Sequence, residues 1–295
     1  MKLNLQAALG LATIVLSTQQ LTAFAQNATS GAPTLNAAPV AITATVVPGA
    51  VKTIWASGMQ APQGMARDAQ GNIYVAEFRG GQVSKFSSEG KLLSTLGAGL
   101  KNPAWLVMAN GTLYVSERKA NRVLKLDASG NLVPVGDTLA EPLGMTVDNA
   151  GRVLALAHTT SQLMRLSADG KFEQVFVASG EDAKRYGYRC VAVDRDGSFL
   201  VTDETEDNLI LITPAGRVSV WATGFDSPTA VVLSPRGDVY VAEEGAGRIA
   251  RLDANGKATI VVDGLGKVRD IEFLDEKTLL ASDQGSGRIW KVVLP

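Results

Sequence analysis

Gly71-Asn72-Ile73-Tyr74-Val75-Ala76-Glu77 decides the fold, because the same pattern returns at fixed distances along the chain. A turn glycine followed by alternating apolar residues and an acid recurs as GTLYVSE from Gly111 and GSFLVTD from Gly197. It recurs again as GDVYVAE from Gly237, while GRVLALA from Gly151 lacks the acid and KTLLASD begins at Lys277. The spacings are 40, 40, 46, 40 and 40 residues. A second set of glycines, Gly90, Gly130, Gly170, Gly216 and Gly256, keeps the same register. Two independent markers in step define a tandem repeat of six units.

Each unit reads as four short strands. In the first, strand A covers residues 64–67 after Pro62, and strand B runs over 72–76. Strand C occupies 83–86 and strand D 92–96. Tyr, Val, Ile and Leu alternating between glycine turns is a β signal, and no 3.6-residue pattern of helix length accompanies it. Four strands in about 40 residues is the blade of a β-propeller. The last unit stops at strand C, Arg288 to Val293, whereas residues 50–58 (AVKTIWASG) match the fourth unit's strand D, VSVWATG from Val218. This N-terminal segment is expected to complete the sixth blade and close the ring, which protects edge strands from pairing with other chains. The expected fold is therefore all-β: one six-bladed β-propeller over residues 46–295 with four-stranded antiparallel blades.

Tyr114-Val115-Ser116-Glu117 with Arg122-Val123, Tyr240-Val241-Ala242-Glu243 with Arg248-Ile249, and Leu280-Ala281-Ser282-Asp283 with Arg288-Ile289 resemble the NHL repeat. More broadly the chain is similar to six-bladed propellers that include gluconolactonase/regucalcin-type lactonases and strictosidine synthase-like proteins. The repeat acid occurs as Glu77, Glu117, Asp203, Glu243 and Asp283, with Ala157 in the third unit. Five residues on stand Gln82, Arg122, Asn208, Arg248 and Arg288, with Gln162 in the third. A ring of carboxylates for a cation is one reading. We prefer a pairing of each acid with its own unit's Arg or amide, since the unit lacking the acid also lacks the Arg.

Strand A starts and strand B ends on one face, so six blades direct those positions at one mouth of the central channel. The starts are Gln63, Pro103, Leu143, Arg189, Thr229 and Arg269, followed by Gly64, Ala104, Gly144, Cys190, Ala230 and Asp270. The residues after the acid are Phe78, Arg118, His158, Glu204, Glu244 and Gln284. Variation on a rigid ring is where specificity resides. The candidate ligand-binding set is Gln63, Arg118, His158, Arg189, Glu204, Thr229, Glu244 and Arg269, with the arginines suited to forked recognition of a carboxylate or phosphate. The catalytic candidates are His158, Glu204 and Asp270, as general acid or base. Solvated surface charge is the alternative for the charged positions, and packing for His158. Cys190 is read as a small buried residue. Residues 180–188 (GEDAKRYGY) are an insertion, either a lid carrying Lys184, Arg185, Tyr186 and Tyr188 or a tolerated surface loop.

The resemblance to gluconolactonase-type enzymes implies a divalent metal, usually Ca²⁺, held at the strand-A starts. Leu143, Arg189 and Arg269 at those starts depart from that pattern, so no cofactor is expected, and Ca²⁺ only if the chain is a lactonase. Streptogramin lyase-like propellers rely on more than one histidine, and this chain has one.

With 295 residues, 46% of them hydrophobic, the chain buries a sizeable core. Its formal net charge of −1 recruits neither nucleic acid nor an acidic membrane surface. One cysteine excludes an intrachain disulfide and a Cys-based zinc site. Lys2, the apolar run AALGLATIVL and Ala23-Phe24-Ala25 form an export signal over residues 1–25, too short to span a bilayer. No cysteine follows for a lipid anchor, and residues 26–45 read as a flexible leader. A periplasmic or secreted monomer is therefore expected. Its preferred function is a binding module for a small anionic molecule, a glycan or another envelope protein. A lactonase with a non-standard site and a non-catalytic envelope scaffold are the alternatives.

Overall fold

The computed structural model describes residues 40–41, 49–177, 187–253 and 255–295. The proposed export signal, most of the leader and residues 180–186 of the insertion lie outside them. Two short strands open the described chain, β1 (Val40–Ala41) and β2 (Val51–Ser57). Blade 1 is β3 (Pro62–Arg67), β4 (Ile73–Glu77), β5 (Gln82–Phe86) and β6 (Leu92–Leu96). Blade 2 is β7 (Pro103–Ala109), β8 (Thr112–Glu117), β9 (Arg122–Leu126) and β10 (Leu132–Val135). Blade 3 is β11 (Pro142–Val147), β12 (Val153–Ala157), β13 (Gln162–Leu166) and β14 (Phe172–Val177). Blade 4 is β15 (Tyr188–Val193), β16 (Phe199–Asp203), β17 (Asn208–Ile212) and β18 (Val218–Thr223). Blade 5 is β19 (Pro228–Leu233), β20 (Val239–Glu243), β21 (Arg248–Leu252) and β22 (Ala258–Val262). The C-terminal strands β23 (Val268–Phe273), β24 (Thr278–Asp283) and β25 (Arg288–Val293) supply three strands of blade 6.

The four strands of each blade pair antiparallel, and β2 is the outer strand of the sixth. Its register runs from Val51 opposite Val293 to Ser57 opposite Arg288. Lys52 Nζ reaches over to the carbonyls of Asp263 (2.6 Å) and Gly264 (2.9 Å) on blade 5. The ring thus closes as the sequence expects. Val40–Ala41, within the expected leader, adds a parallel two-residue pairing along β18 at Ala222 and Thr223.

The repeat glycines are obligatory at the A–B turns. Gly71 has φ +83°, a conformation that costs an L side chain steric strain, and Asp68 Oδ1 accepts from the amides of Gln70 and Asn72 around it. The core lies between blades, where inner strands carry Ile73, Val75, Val115, Val241 and Leu279 at 0% exposure. Adjacent strands A pack so closely at Gly64 that a Cβ there would stand 2.6 Å from the Trp105 backbone.

The acid at the end of strand B is structural, as preferred above, but does more than pair within its blade. Glu77 accepts from Gln82 Nε2 at 3.0 Å, and Glu117 and Glu243 pair with Arg122 (2.6 Å) and Arg248 (2.8 Å). A second oxygen of each takes a backbone amide just ahead of strand A, from Gln60, Lys101 and Asp226 respectively. The two aspartates, one methylene shorter, cap the bend itself. Asp203 accepts from Thr205 and Glu206, and Asp283 from Lys267, Gly285 and Ser286. Arg288 accordingly lies over the Trp290 ring instead of following the five-residue rule.

Candidate functional site

One backbone hydrogen bond, repeated around the ring, fixes the mouth. The amide after each strand B donates to a carbonyl just ahead of strand A. The pairs are Phe78 to Ala61, Arg118 to Asn102, His158 to Glu141, Glu204 to Gly187, Glu244 to Ser227 and Gln284 to Lys267, all between 2.9 and 3.3 Å. Side chains at these positions and at the strand-A starts are therefore carried on pinned backbone, with little ordering left to undergo on binding.

Three arginine–carboxylate pairs occupy this face. Arg189 Nη1 meets Glu204 Oε2 at 2.5 Å, joining the start of β15 to the end of β16. Arg269 Nη2 bonds Glu244 Oε1 at 2.8 Å across the blade 5–6 boundary, and its Nε bonds Gln284 Oε1 at 3.0 Å. Arg118 grips Glu141 Oε2 through Nε and Nη2, and Lys119 Nζ takes Oε1 at 2.5 Å. Glu141 carries this contact from a left-handed backbone (φ +44°) directly before Pro142, a strained conformation held by its amide bonding Asn121 Oδ1.

The Arg269 side chain is only 14% exposed, and its Nη1 is the one buried side-chain nitrogen or oxygen among the described residues without a hydrogen-bond partner. Burial lowers its pKa to about 10, with the positive charges of Arg189 and Arg118 adding to the effect and Glu244 and Glu204 opposing it. It remains cationic at neutral pH. His158, half-buried, shares a 3.0 Å contact between Nδ1 and the Tyr188 carbonyl. That carbonyl accepts only, so Nδ1 carries the proton and Nε2 keeps its lone pair in the neutral ring. Burial, chiefly, and the nearby Arg118 and Arg189 hold His158 below its usual pKa, against the contact with Tyr188 and the charge of Glu141.

The structure thus gathers Arg118, His158, Arg189, Glu204, Glu244 and Arg269 at one mouth. Gln63 is buried, and Thr229 is spent on structure, its hydroxyl donating to the Val268 carbonyl at 3.0 Å. Asp270 does not join the mouth. It lies deeper, 3% exposed, accepting from the amides of Met65 (2.7 Å) and Ile271 (2.8 Å), and it lines a cavity further down the channel. A register shift between Val268 and Ile271 turns it inward. Glu204 and Glu244 are ion-paired and not free bases. Cys190 is buried and burial pushes its thiol pKa far up, so it is an inert packing residue. Glu141 and Lys119 went unsignalled in the sequence reading. Aligning the residues that precede strand A (Ala61, Asn102, Glu141, Ser227) exposes Glu141 as the lone acid among them.

Residues 14–116 match the SMP-30/Gluconolactonase/LRE-like region. The match takes in the closing strand, blade 1 and the first two strands of blade 2, less than half of the chain. No curated protein sequence matches. Among solved structures, a gluconolactonase from Xanthomonas campestris superposes with a TM-score of 0.72 at 14% identity, over 83% of this chain and 90% of that one. A virginiamycin B lyase from Staphylococcus aureus gives 0.65 at 13%, over 84% and 100%. A PQQ-bound aldose sugar dehydrogenase from Streptomyces coelicolor gives 0.64 at 16%, over 84% and 99%. Similarity at this level defines a shared propeller fold. The resemblance to gluconolactonase-type enzymes implies Ca²⁺ at the strand-A starts, and the residues present do not fit it. Hard cations need six to eight oxygens. Here guanidinium groups stand at two starts and their neighbouring carboxylates are engaged. No group of three His, Cys, Asp or Glu among the described residues is placed to hold a metal.

Proposed function

We propose that this propeller binds a small carboxylate or phosphate ligand at the arginine mouth. One observation carries the reading: Arg269 Nη1 is buried, charged and without an acceptor. A desolvated donor of this kind is costly to leave unmet, and an anion supplies the missing acceptor. Arg118 and Arg189 reinforce the field, since the mouth holds four cations (with Lys119) against Glu141, Glu204 and Glu244. An exported chain is part of the proposal, supported by Lys2, the apolar run and Ala23-Phe24-Ala25.

Gluconate, a polyol carboxylate, is a suitable probe, with uncharged sorbitol as comparator. Calorimetric titration should show gluconate binding and no sorbitol binding. Arg269→Met should weaken gluconate on the order of ten- to a hundredfold, the worth of one charge-assisted hydrogen bond. Equal heats for gluconate and sorbitol, or undiminished affinity in the variant, would remove the proposal.

A second reading, lactone hydrolysis, is favoured by the fixed tautomer of His158. Its Nε2 is able to take a proton from water attacking a lactone carbonyl while an arginine meets the developing oxyanion. In pH-stat assays on gluconolactone, His158→Gln should lower kcat by roughly a hundredfold. The base form must be free for this step, and its pKa lies below the ordinary 6.5, so the rate should be level above pH 7 and fall only at more acid pH. A chain that leaves the lactone at its spontaneous rate is not a hydrolase of this kind.

A further inference from the structure

Away from the arginine mouth, the inner strands enclose a cavity of about 370 Å³ lined by residues of all six blades. Its walls carry the soft side chains of Met65, Trp105, Met108 and Met145, with valine and leucine from blades 4 and 5, and polar atoms make up much of the surface they leave open. The charged residues lining it are Arg67, Asp270 and Glu272. Arg67 is turned away, its Nη1 donating to the Leu274 carbonyl at 2.5 Å. Asp270 has both oxygens on backbone amides. Glu272 is different. It is half-buried, it lines the lumen, and among the described residues its carboxylate has no hydrogen-bond or ion-pair partner.

We infer that this cavity is a second ligand site, separate from the mouth, and that it takes a small organic ammonium ion between Glu272, Asp270 and the sulfur and aromatic walls. A carboxylate that faces the channel between six blades without a partner favours a positive one. The wall chemistry selects which one. Two carboxylates, one of them already accepting two amides, supply few of the oxygens Ca²⁺ takes, whereas beside methionines and a tryptophan they match the charge and methyl groups of an alkylammonium. Without a cation the pair holds its protons. Burial, with the charge of Asp270, raises Glu272 to about 8 against the opposing Arg67, and burial raises Asp270 to about 7 against its two amide bonds. Cation binding must displace those protons, so affinity rises as pH climbs through this range.

Choline and its uncharged isostere, with tert-butyl in place of trimethylammonium, are the probes. Calorimetry should find choline bound at least roughly tenfold more tightly than the isostere, a difference of about 1.4 kcal/mol. Choline should bind on the order of a hundredfold more tightly at pH 8.5 than at pH 6. Glu272→Gln, which preserves shape, should abolish the choline preference, while Arg269→Met at the mouth should leave it intact. Asp270→Asn risks the Met65 contact and is read only alongside an unchanged melting curve. Equal binding of choline and isostere, or choline binding indifferent to Glu272→Gln, would overturn the inference. So would Ca²⁺ displacing choline through Glu272.

Discussion

A chain that begins at Met59, and so lacks β2, is expected to melt about 10–20 °C below one that begins at Gly49, because roughly 5 kcal/mol of net backbone hydrogen bonding is removed. The loss falls on backbone pairing more than on core. β2 is exposed along most of its length, with Ala56 its one buried residue. β2 adds six registered residue pairs to β25 and the Lys52 bridge to blade 5, and it leads the chain from the last blade into the first, which also meet through the Met65–Asp270 and Arg67–Leu274 hydrogen bonds. A peptide of residues 49–58 added in trans should restore part of the lost stability, since the exposed edge of β25 is its template. An unchanged melting temperature in the shortened chain would mean the ring does not depend on this closure.

Replacing Glu243 by Leu is expected to cost about 3–5 kcal/mol, the range for removing one partner of a buried ion pair. The carboxylate is fully buried, holds Arg248 through both oxygens at 2.8 and 2.9 Å, and accepts the Asp226 amide at 2.8 Å. Burial nevertheless raises its pKa, with Arg248 only partly offsetting that, so the pair is strained electrostatically as well as well bonded. The double replacement Glu243→Leu with Arg248→Leu should therefore be less damaging than Glu243→Leu alone. Urea melts of the two variants decide it. A single replacement costing under about 1 kcal/mol would reduce the pair to an ordinary surface contact.

The architecture was legible because its markers are physically forced. Only glycine sits without strain at the A–B turns represented by Gly71 and Gly197, so the repeat period could not drift unseen. Ring closure was legible because blade 6 lacks one strand and residues 50–58 resemble one. The ring of mouth residues followed from the same alignment, and six of its eight members do meet there. Their partners were harder. Arg118 to Glu141 and Arg269 to Glu244 join neighbouring blades, and no spacing within a repeat encodes a contact between repeats. Asp270 was misplaced because the register shift in strand A breaks the two-residue alternation on which facing is counted. Glu272 carried no repeat signal at all, since its partner is empty space.

The pairing of Val51 with Val293 also dictates when the molecule can finish folding. During synthesis the first outer strand emerges early and must wait for nearly the whole chain before its template exists. Early blades can assemble from local contacts, but the final lock has the greatest sequence separation available and so the highest loop-closure penalty. A nascent chain therefore stays open until β25 has emerged, and any truncation before Arg288 produces a protein whose seam has nothing to zip to.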